Sequence, residues 1–240
     1  MIKINSKEWW QEYFVEKRWE QNGGNAQTFF FANILLENID LHFLEDINKN
    51  KYSVCDFGCA CGELTKLLHD KLFNCDVYGL DVSSAAVQEA KKLFPGVEFK
   101  QKDILESSEY IDTIFCSNVL EHFENPYDIL RRLLNISRKY LIIMVPYREK
   151  NLDSSHFYRF DEQDLQGRYG DFLVVQRKII DAEKIENTYW RGEQLLVVMK
   201  KMNEVIKDNE GTFAKSEVWD KVSEDYKVEI DESEYQLADE

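Results

Sequence analysis

An apolar run and a glycine-containing loop meet in the stretch Val54-Cys55-Asp56-Phe57-Gly58-Cys59-Ala60-Cys61-Gly62-Glu63. The run from Tyr52 to Phe57 predicts a buried strand, and the residues that follow Gly62 have the spacing of a helix. A strand, a glycine loop and a helix in this order bring the backbone close to a ligand at the carboxyl end of a parallel sheet. The stretch therefore predicts an α/β fold with a binding site at this loop.

A second acidic residue follows at the end of the next apolar run. Asp81 comes directly after residues 77–80, and a carboxylate there can accept hydrogen bonds from two ribose hydroxyls. The loop lacks the third glycine of the G-x-G-x-x-G dinucleotide fingerprint, and it has no G-K-[ST] of a triphosphate loop. The expected ligand is a nucleoside without phosphates, which argues against a nucleotide-dependent dehydrogenase.

The pattern D-F-G-C-A-C-G resembles the loop of the class I S-adenosylmethionine (SAM)-dependent methyltransferases. In that family a D/E-x-G-x-G/A-x-G loop passes under the methionyl part of SAM, and an acidic residue ends the second strand. The resemblance implies SAM as cofactor, S-adenosylhomocysteine (SAH) as product, and a set of binding residues: Asp56, Gly58, Ala60, Gly62, Asp81, Val82, Asp103 and Ile104. Asp103 would meet the adenine amino group and Ile104 the ring, although Asp103 is also suited to capping a turn.

The segment after the fourth predicted strand is similar to a motif of many class I methyltransferases and reads Asn118-Val119-Leu120-Glu121-His122. On a helical turn, Asn118, Glu121 and His122 share a face, which we expect to line the cleft, with Asn118 near the cofactor. Some O-methyltransferases, including the small-RNA 2′-O-methyltransferases, use an E-x-x-E-H here with a later histidine to hold a divalent metal. Asn118 replaces the first carboxylate, so no metal site is predicted. The Glu-His pair is also compatible with a structural role.

His156 lies in the polar segment after the fifth predicted strand. Loops at the carboxyl ends of the strands line the ligand crevice in this type of sheet. A neutral imidazole can take the proton from a hydroxyl while its oxygen attacks the methyl group. We expect His156 or His122 to be the base, with Glu121 orienting an imidazole, and the alternative is that His156 anchors its loop.

Strand-like and helix-like segments alternate between residues 52 and 146, which predicts a doubly wound, mostly parallel Rossmann-like sheet. Two further apolar runs, 172–180 and 194–200, bring the predicted total to seven strands. The aromatic-rich N-terminal region predicts two helices around a glycine turn, with Asn25 or Thr28 as N-cap. Resemblance to small-molecule methyltransferases implies that this region is a lid, with Trp19 and Gln27 facing the pocket. The predicted divisions are an N-terminal helical lid (1–48), a SAM-binding domain (49–202) and an acidic C-terminal extension (203–240).

Charge and composition restrict the partners. The net charge is −15, and residues 203–240 contribute −9 of it through 13 acidic and 4 basic side chains. A chain this acidic repels nucleic-acid phosphates, and no apolar run reaches the ~20 residues of a membrane span. The five cysteines suggest reduced thiols, and the first residues do not resemble a secretory signal. We therefore expect a cytoplasmic protein without nucleic-acid or membrane partners, of open oligomeric state.

The sequence as a whole predicts an enzyme that transfers the methyl group of SAM to a small-molecule or sugar acceptor. Oxygen is the preferred acceptor atom, because two histidines are expected near the cleft and nucleic acid is disfavoured. The alternatives are a metal-assisted O-methyltransferase, an N-methyltransferase, and a protein that binds SAM without catalysis.

Overall fold

A computed structural model of the chain describes residues 2–103, 106 and 109–202. Its centre is an eight-stranded sheet in the order β3-β2-β1-β4-β5-β8-β7-β6. The strands are β1 Ser53–Phe57, β2 Asp76–Asp81, β3 Glu98–Gln101, β4 Ile111–Ser117, β5 Ser137–Tyr147, β6 Arg168–Tyr169, β7 Phe172–Asp181 and β8 Glu193–Lys201. The helices are α1 Lys7–Val15, α2 Arg18–Gln21, α3 Gly24–Asn38, α4 Leu41–Asn50, α5 Glu63–Lys71, α6 Ser84–Leu93 and α7 Pro126–Ile136.

The first five strands pair in parallel, while β8 lies antiparallel to β5, and β7 and β6 continue the sheet as antiparallel neighbours. The predicted doubly wound, mostly parallel fold is confirmed. Seven strands were predicted and eight are present. The additional strand is β6, which pairs only Arg168 and Tyr169 with the start of β7 and is too short to give an alternation signal.

The N-terminal region contains four helices, where two were predicted. Left-handed backbone at Lys17 (φ 57°) and at Gly23 (φ 75°) separates the first three of them. Because α3 begins at Gly24, with Gly23 in the capping position, neither Asn25 nor Thr28 is its N-cap. The Trp19 ring lies 2.4 Å from the place where a Cβ of residue 24 would be. A glycine at position 24 therefore lets the indole pack onto the first turn of α3.

Both faces of the sheet are covered, as the near-continuous apolar strands require. On one face, α3, α4 and α5 supply buried side chains such as Leu35, Ile47 and Leu68. On the other face, α7 supplies Leu130 and Leu133. The five cysteines are free thiols, and four of them are buried. Among the described residues, no helix combines the length and apolar character that crossing a membrane requires.

The strand order reverses direction between β1 and β4. Chain segments leave the carboxyl ends of these two parallel strands in opposite directions, which opens a crevice at this point of the sheet. Residues 58–62 follow β1, and residues 118–122 follow β4. The two motifs that the sequence singled out therefore meet at the edge of the sheet where ligands bind.

Candidate functional site

Two positions of the glycine loop after β1 have a left-handed backbone and no space for a side chain. Gly58 (φ 73°) and Gly62 (φ 93°) are both left-handed. A Cβ at Gly58 would lie 2.5 Å from Cγ2 of Val119, and one at Gly62 would lie 2.6 Å from the Phe99 ring. The loop thus packs between Val119, in the segment after β4, and Phe99 of β3. This packing holds the amide groups of the loop in place.

Two buried carboxyl groups flank this loop. Asp56 Oδ2 accepts a hydrogen bond from Thr65 Oγ1 at 2.6 Å. Asp81 Oδ2 accepts from the backbone N of Ala60 at 3.0 Å, and its Oδ1 accepts from the backbone N of Ser83 at 2.8 Å. Burial raises the pKa of Asp56 to about 7 and that of Asp81 to about 6, against the opposing effect of these hydrogen bonds. Asp81 therefore fastens the glycine loop to the end of β2 and retains lone pairs for a ligand.

A first cavity of about 260 Å³ opens beside Asp81. Six of the predicted cofactor residues line it: Gly58, Ala60, Asp81, Val82, Asp103 and Asn118. Asp56 and Gln27 line a neighbouring cavity instead, and Gly62 belongs to the lining of neither. Ile104 lies outside the described residues. The structure thus brings most of the predicted cofactor set to one hollow and gives Gly62 a packing role against Phe99.

A second cavity of about 610 Å³ adjoins the first. The two share six lining residues: Trp10, Trp19, Gly58, Ala60, Asn118 and His122. Aromatic rings from α1 and its neighbours form one wall, with Trp9 stacked on Tyr13 at 4.9 Å between ring centroids. Trp190, from the connection between β7 and β8, completes the lining. Sequence reasoning missed Trp190, because nothing near it in the chain marks a site.

Two polar side chains fasten the N-terminal segment over the cavities. Asn5 Nδ2 donates to the backbone oxygens of His122 (2.9 Å) and Ser155 (2.7 Å). Gln11 Oε1 accepts from the hydroxyls of Ser83 (3.1 Å) and Ser84 (3.2 Å) at the start of α6. Gln11 thus ties α1 to the start of α6, beside the first cavity. Asn5 ties the residues before α1 to His122 and Ser155, which line the second cavity.

The segment after β4 does not form the predicted α-helical face. Asn118 is left-handed (φ 52°), and only a three-residue 3₁₀ turn, Leu120–His122, follows. Asn118, Glu121 and His122 nevertheless all line the second cavity. The left-handed residue at the strand end turns the chain, so the three side chains meet at the cavity without sharing a helix.

His156 joins this group from the loop after β5. The ring centroids of His122 and His156 are 5.1 Å apart, with 71° between the ring planes. His122 Nδ1 lies 2.9 Å from the backbone oxygen of Ser155, and His156 Nδ1 lies 2.8 Å from Glu149 Oε2. Each imidazole is therefore held by its Nδ1 atom, which leaves Nε2 as the nitrogen available for other contacts.

The pKa values of the three titratable groups in this cluster shift in different directions. Burial lowers the pKa of His122 to about 4, so its imidazole is neutral at pH 7. Burial lowers the pKa of His156, but the hydrogen bond that its ring donates to Glu149 and the charge of Glu121 raise the pKa by more, so the net shift is upward. Burial raises the pKa of Glu121 to about 7. The cluster can exchange protons near neutral pH, and its donor atoms suit a cation equally well.

Comparisons with known proteins agree with this architecture. Residues 48–163 match a family model described as a methyltransferase domain. The trans-aconitate 2-methyltransferase of Escherichia coli O7:K1 (strain IAI39 / ExPEC) is 26% identical over 127 residues, which cover 52% of this chain and 46% of that protein. The matched region spans about half the length of the curated relatives.

Solved structures resemble the chain over most of its length. Magnesium protoporphyrin IX methyltransferase from Synechocystis PCC 6803, with bound SAH, has a TM-score of 0.60 at 16% identity and covers 82% of this chain and 100% of its own. A SAM-dependent methyltransferase from Anabaena variabilis ATCC 29413 has a TM-score of 0.58 at 15% identity and covers 83% and 96%. These solved structures show the fold, and residues 48–163 are similar to a methyltransferase domain. The two similar structures from Synechocystis PCC 6803 hold SAH in one case and SAM in the other.

Proposed function

We propose that this chain transfers the methyl group of SAM to a hydroxyl oxygen of a small-molecule or sugar acceptor bound in the second cavity. SAM would occupy the first cavity, with its ribose at Asp81 and its adenine near Asp103. The observation that carries the proposal is the junction of the two cavities at Gly58, Asn118 and His122. A methyl donor in the first cavity would face an acceptor in the second across these residues.

The lining of the second cavity favours a small acceptor that contains a ring. Its volume of about 610 Å³ falls in the range of small-molecule sites. Trp9, Trp10 and Tyr13 present aromatic faces and edges, on which a sugar or an aromatic ring can pack. The two relatives are named for trans-aconitate and for magnesium protoporphyrin IX, acceptors of very different size, so the names of relatives do not select an acceptor for this chain.

The reaction needs alignment, exclusion of water and a destination for one proton. The acceptor oxygen attacks the methyl carbon, the carbon–sulfur bond breaks, and its electron pair stays on sulfur to give SAH. The hydroxyl proton would pass to Nε2 of His156, whose ring is fixed through Nδ1 by Glu149. Holding donor and acceptor in line supplies much of the rate, because it converts a bimolecular encounter into a step within one complex.

The cofactor part of the proposal is tested by calorimetric titration of the purified protein with SAH, with NADH as the control ligand. We expect micromolar affinity for SAH and no heat from NADH. Absence of SAH binding would overturn the assignment of the first cavity.

The acceptor part is tested by transfer of label from SAM carrying a radioactive methyl group. Sugars and phenols are compared with amines and carboxylic acids of similar size. We expect a labelled ether that survives mild base. Label released as methanol by mild base would show a carboxyl ester, and labelled amines would show N-methylation. Either result would contradict transfer to a hydroxyl.

A further inference from the structure

Three potential metal ligands converge in the second cavity. Within the part of the chain that the structure describes, one set of histidine, cysteine and carboxylate side chains has all its ligand atoms within 4.8 Å of one another: Glu121, His122 and His156. All three line the same cavity. They come from two segments, the turn at 120–122 and the loop after β5, which α7 and β5 separate in the chain and which meet in the fold.

The two imidazoles are oriented as metal-bound imidazoles usually are. A ligating histidine almost always has its second ring nitrogen hydrogen-bonded to a carbonyl or a carboxylate, which fixes the ring and its tautomer. Here the partner of His122 Nδ1 is the backbone oxygen of Ser155, and that of His156 Nδ1 is Glu149. Glu149 has a side chain only 9% exposed. The Nε2 atoms remain as the candidate donors to a cation.

The carboxylate supplies a separate observation that calls for a ligand. Glu121 is 1% exposed, and its Oε2 atom is buried with no hydrogen-bond partner among the described residues. Burial of a carboxylate oxygen without a partner costs free energy, because the atom loses its water and gains nothing in return. A cation bound between Glu121 and the two imidazoles would remove that deficit.

We propose that Glu121, His122 and His156 bind one divalent transition-metal cation in the second cavity. Two imidazoles and one carboxylate are the donor set that suits Mn²⁺, Fe²⁺, Co²⁺ or Zn²⁺, whereas Mg²⁺ and Ca²⁺ prefer oxygen ligands alone. The absence of the first carboxylate at Asn118 led the sequence to predict no metal. The structure places His156 beside Glu121 and His122, which gives three donors without the missing carboxylate.

The role of such a cation rests on the proposed function. Three protein ligands leave coordination positions open toward the cavity, where the acceptor hydroxyl is expected. An oxygen bound to a divalent cation loses its proton more readily. The hydroxyl would release its proton to water and attack as an alkoxide. His156 would then act as a ligand, in place of the proton acceptor described above.

The test is metal binding to the full chain after treatment with a chelator and its removal. Mn²⁺ is titrated while its paramagnetic resonance signal reports free ion, and Co²⁺ is followed by its visible absorption, which detects nitrogen ligands. We expect one tight site per chain. Glu149→Gln should weaken it by roughly 10–100-fold, the usual effect of losing a hydrogen bond behind a ligand. Loss of a ligand in Glu121→Gln or His156→Ala should weaken it by more than this.

Two controls keep the result interpretable. His69→Ala removes a histidine whose side chain is 45% exposed, and it should leave Mn²⁺ affinity unchanged. SAH titration of every variant shows whether the fold and the first cavity survive the substitution. If Glu121→Gln and His156→Ala leave the Mn²⁺ affinity unchanged, the ion binds to surface carboxylates and the proposal is overturned. Failure of the untreated and metal-free proteins to bind SAH would instead count against the proposed function, while the metal titration still decides the site.

Discussion

The two cavities of this chain are built in different ways. The first is lined largely by the ends of consecutive parallel strands and the residues just beyond them, such as Gly58, Asp81 and Asp103. The second shares part of the glycine loop, but most of its lining comes from the N-terminal helices, the segment after β4, the loop after β5 and the connection between β7 and β8. Strand ends are brought together by sheet pairing alone, whereas the walls of the second cavity depend on long-range packing.

This difference indicates where specificity resides. Sheet pairing and the glycine loop fix the shape of the first cavity, the proposed cofactor site. The second cavity, the proposed acceptor site, depends on single contacts such as that of Asn5, whose Nδ2 donates to the backbone oxygens of His122 and Ser155, 117 and 150 residues away. Such contacts can change without disturbing the sheet. We therefore expect substitutions at the acceptor side to alter turnover while cofactor binding persists.

The largest effect should come from His156→Ala. If His156 takes the acceptor proton, loss of the imidazole should lower turnover by ~10²–10⁴-fold. SAH affinity should stay unchanged, because His156 lines only the second cavity. The measurement is the initial rate of methyl transfer with calorimetry on the same preparation, and His69→Ala is the control. A variant with the wild-type rate would remove His156 from the mechanism.

A smaller effect is expected on the free energy of unfolding. A pair of glycine substitutions should separate the cost of a left-handed backbone from the cost of a steric clash in the glycine loop. Gly62 and Gly96 have nearly the same φ, 93° and 98°, but only Gly62 has neighbours within 4 Å of an added Cβ in the described part of the chain. Gly96→Ala should cost about 1–2 kcal/mol for the left-handed backbone alone. Gly62→Ala should cost about 1–3 kcal/mol more, because its Cβ would meet Phe99.

Urea unfolding of both variants, with SAH affinity in parallel, measures this pair. If SAM binds in the first cavity as proposed, Gly62→Ala should also weaken SAH binding, because Gly62 joins the glycine loop to the start of α5. Equal losses of stability in the two variants would mean that Phe99 moves aside, and that the glycine loop is less tightly packed than its geometry indicates.

Asp81→Ala tests the cofactor side directly. Loss of charge-assisted hydrogen bonds to the ribose should weaken SAH binding by ~1–3 kcal/mol. Asp76→Ala is the matched control, because Asp76 begins the same strand at an exposed position. Calorimetry gives both affinities. An unchanged affinity in Asp81→Ala would show that the carboxylate serves only the backbone of Ala60 and Ser83.

The sequence predicted the first cavity far better than the second, and the reason is physical. Gly58, Ala60 and Asp81 line the first cavity and belong to strand–loop units whose geometry follows from local periodicity and from glycine. Arg168–Tyr169 was missed because two residues carry no periodicity. Four N-terminal helices were mistaken for two because a left-handed residue such as Lys17 breaks a helix without a glycine or proline to mark the break.

The second cavity was predicted only in part for a related reason. His122 and His156 were chosen for their chemistry and for their places after strands, and the structure brings their rings within 5.1 Å. The supporting residues, Asn5, Glu149 and Trp190, reach the site through folding of distant segments. No spacing in the sequence indicates that these residues lie close together, so only the folded structure shows their contacts.

The pH dependence of SAH affinity should give the smallest effect and the sharpest view of Asp81. Burial raises the pKa of this carboxyl to about 6 in the free protein. Its contribution to stability is therefore present at low pH and is lost as the pH rises through 6, the reverse of the usual behaviour of an aspartate. Ribose hydroxyls donate to the charged form and lower that pKa, so SAH binding releases a proton. Affinity should then rise by ~10-fold between pH 5 and pH 7.

Asp81→Asn separates this titration from all others, because the amide cannot ionise and retains an oxygen for the backbone of Ser83. Calorimetry in two buffers of different ionisation heat counts the protons released. We expect a release near pH 6 in the wild type and a flat profile for Asp81→Asn. Asp56 and Glu121 each have a pKa of about 7 and line only the second cavity, so a slope that persists in the variant would come from that cavity. A wild-type slope in Asp81→Asn would thus show that SAH reaches into the acceptor half and that the two cavities share the cofactor.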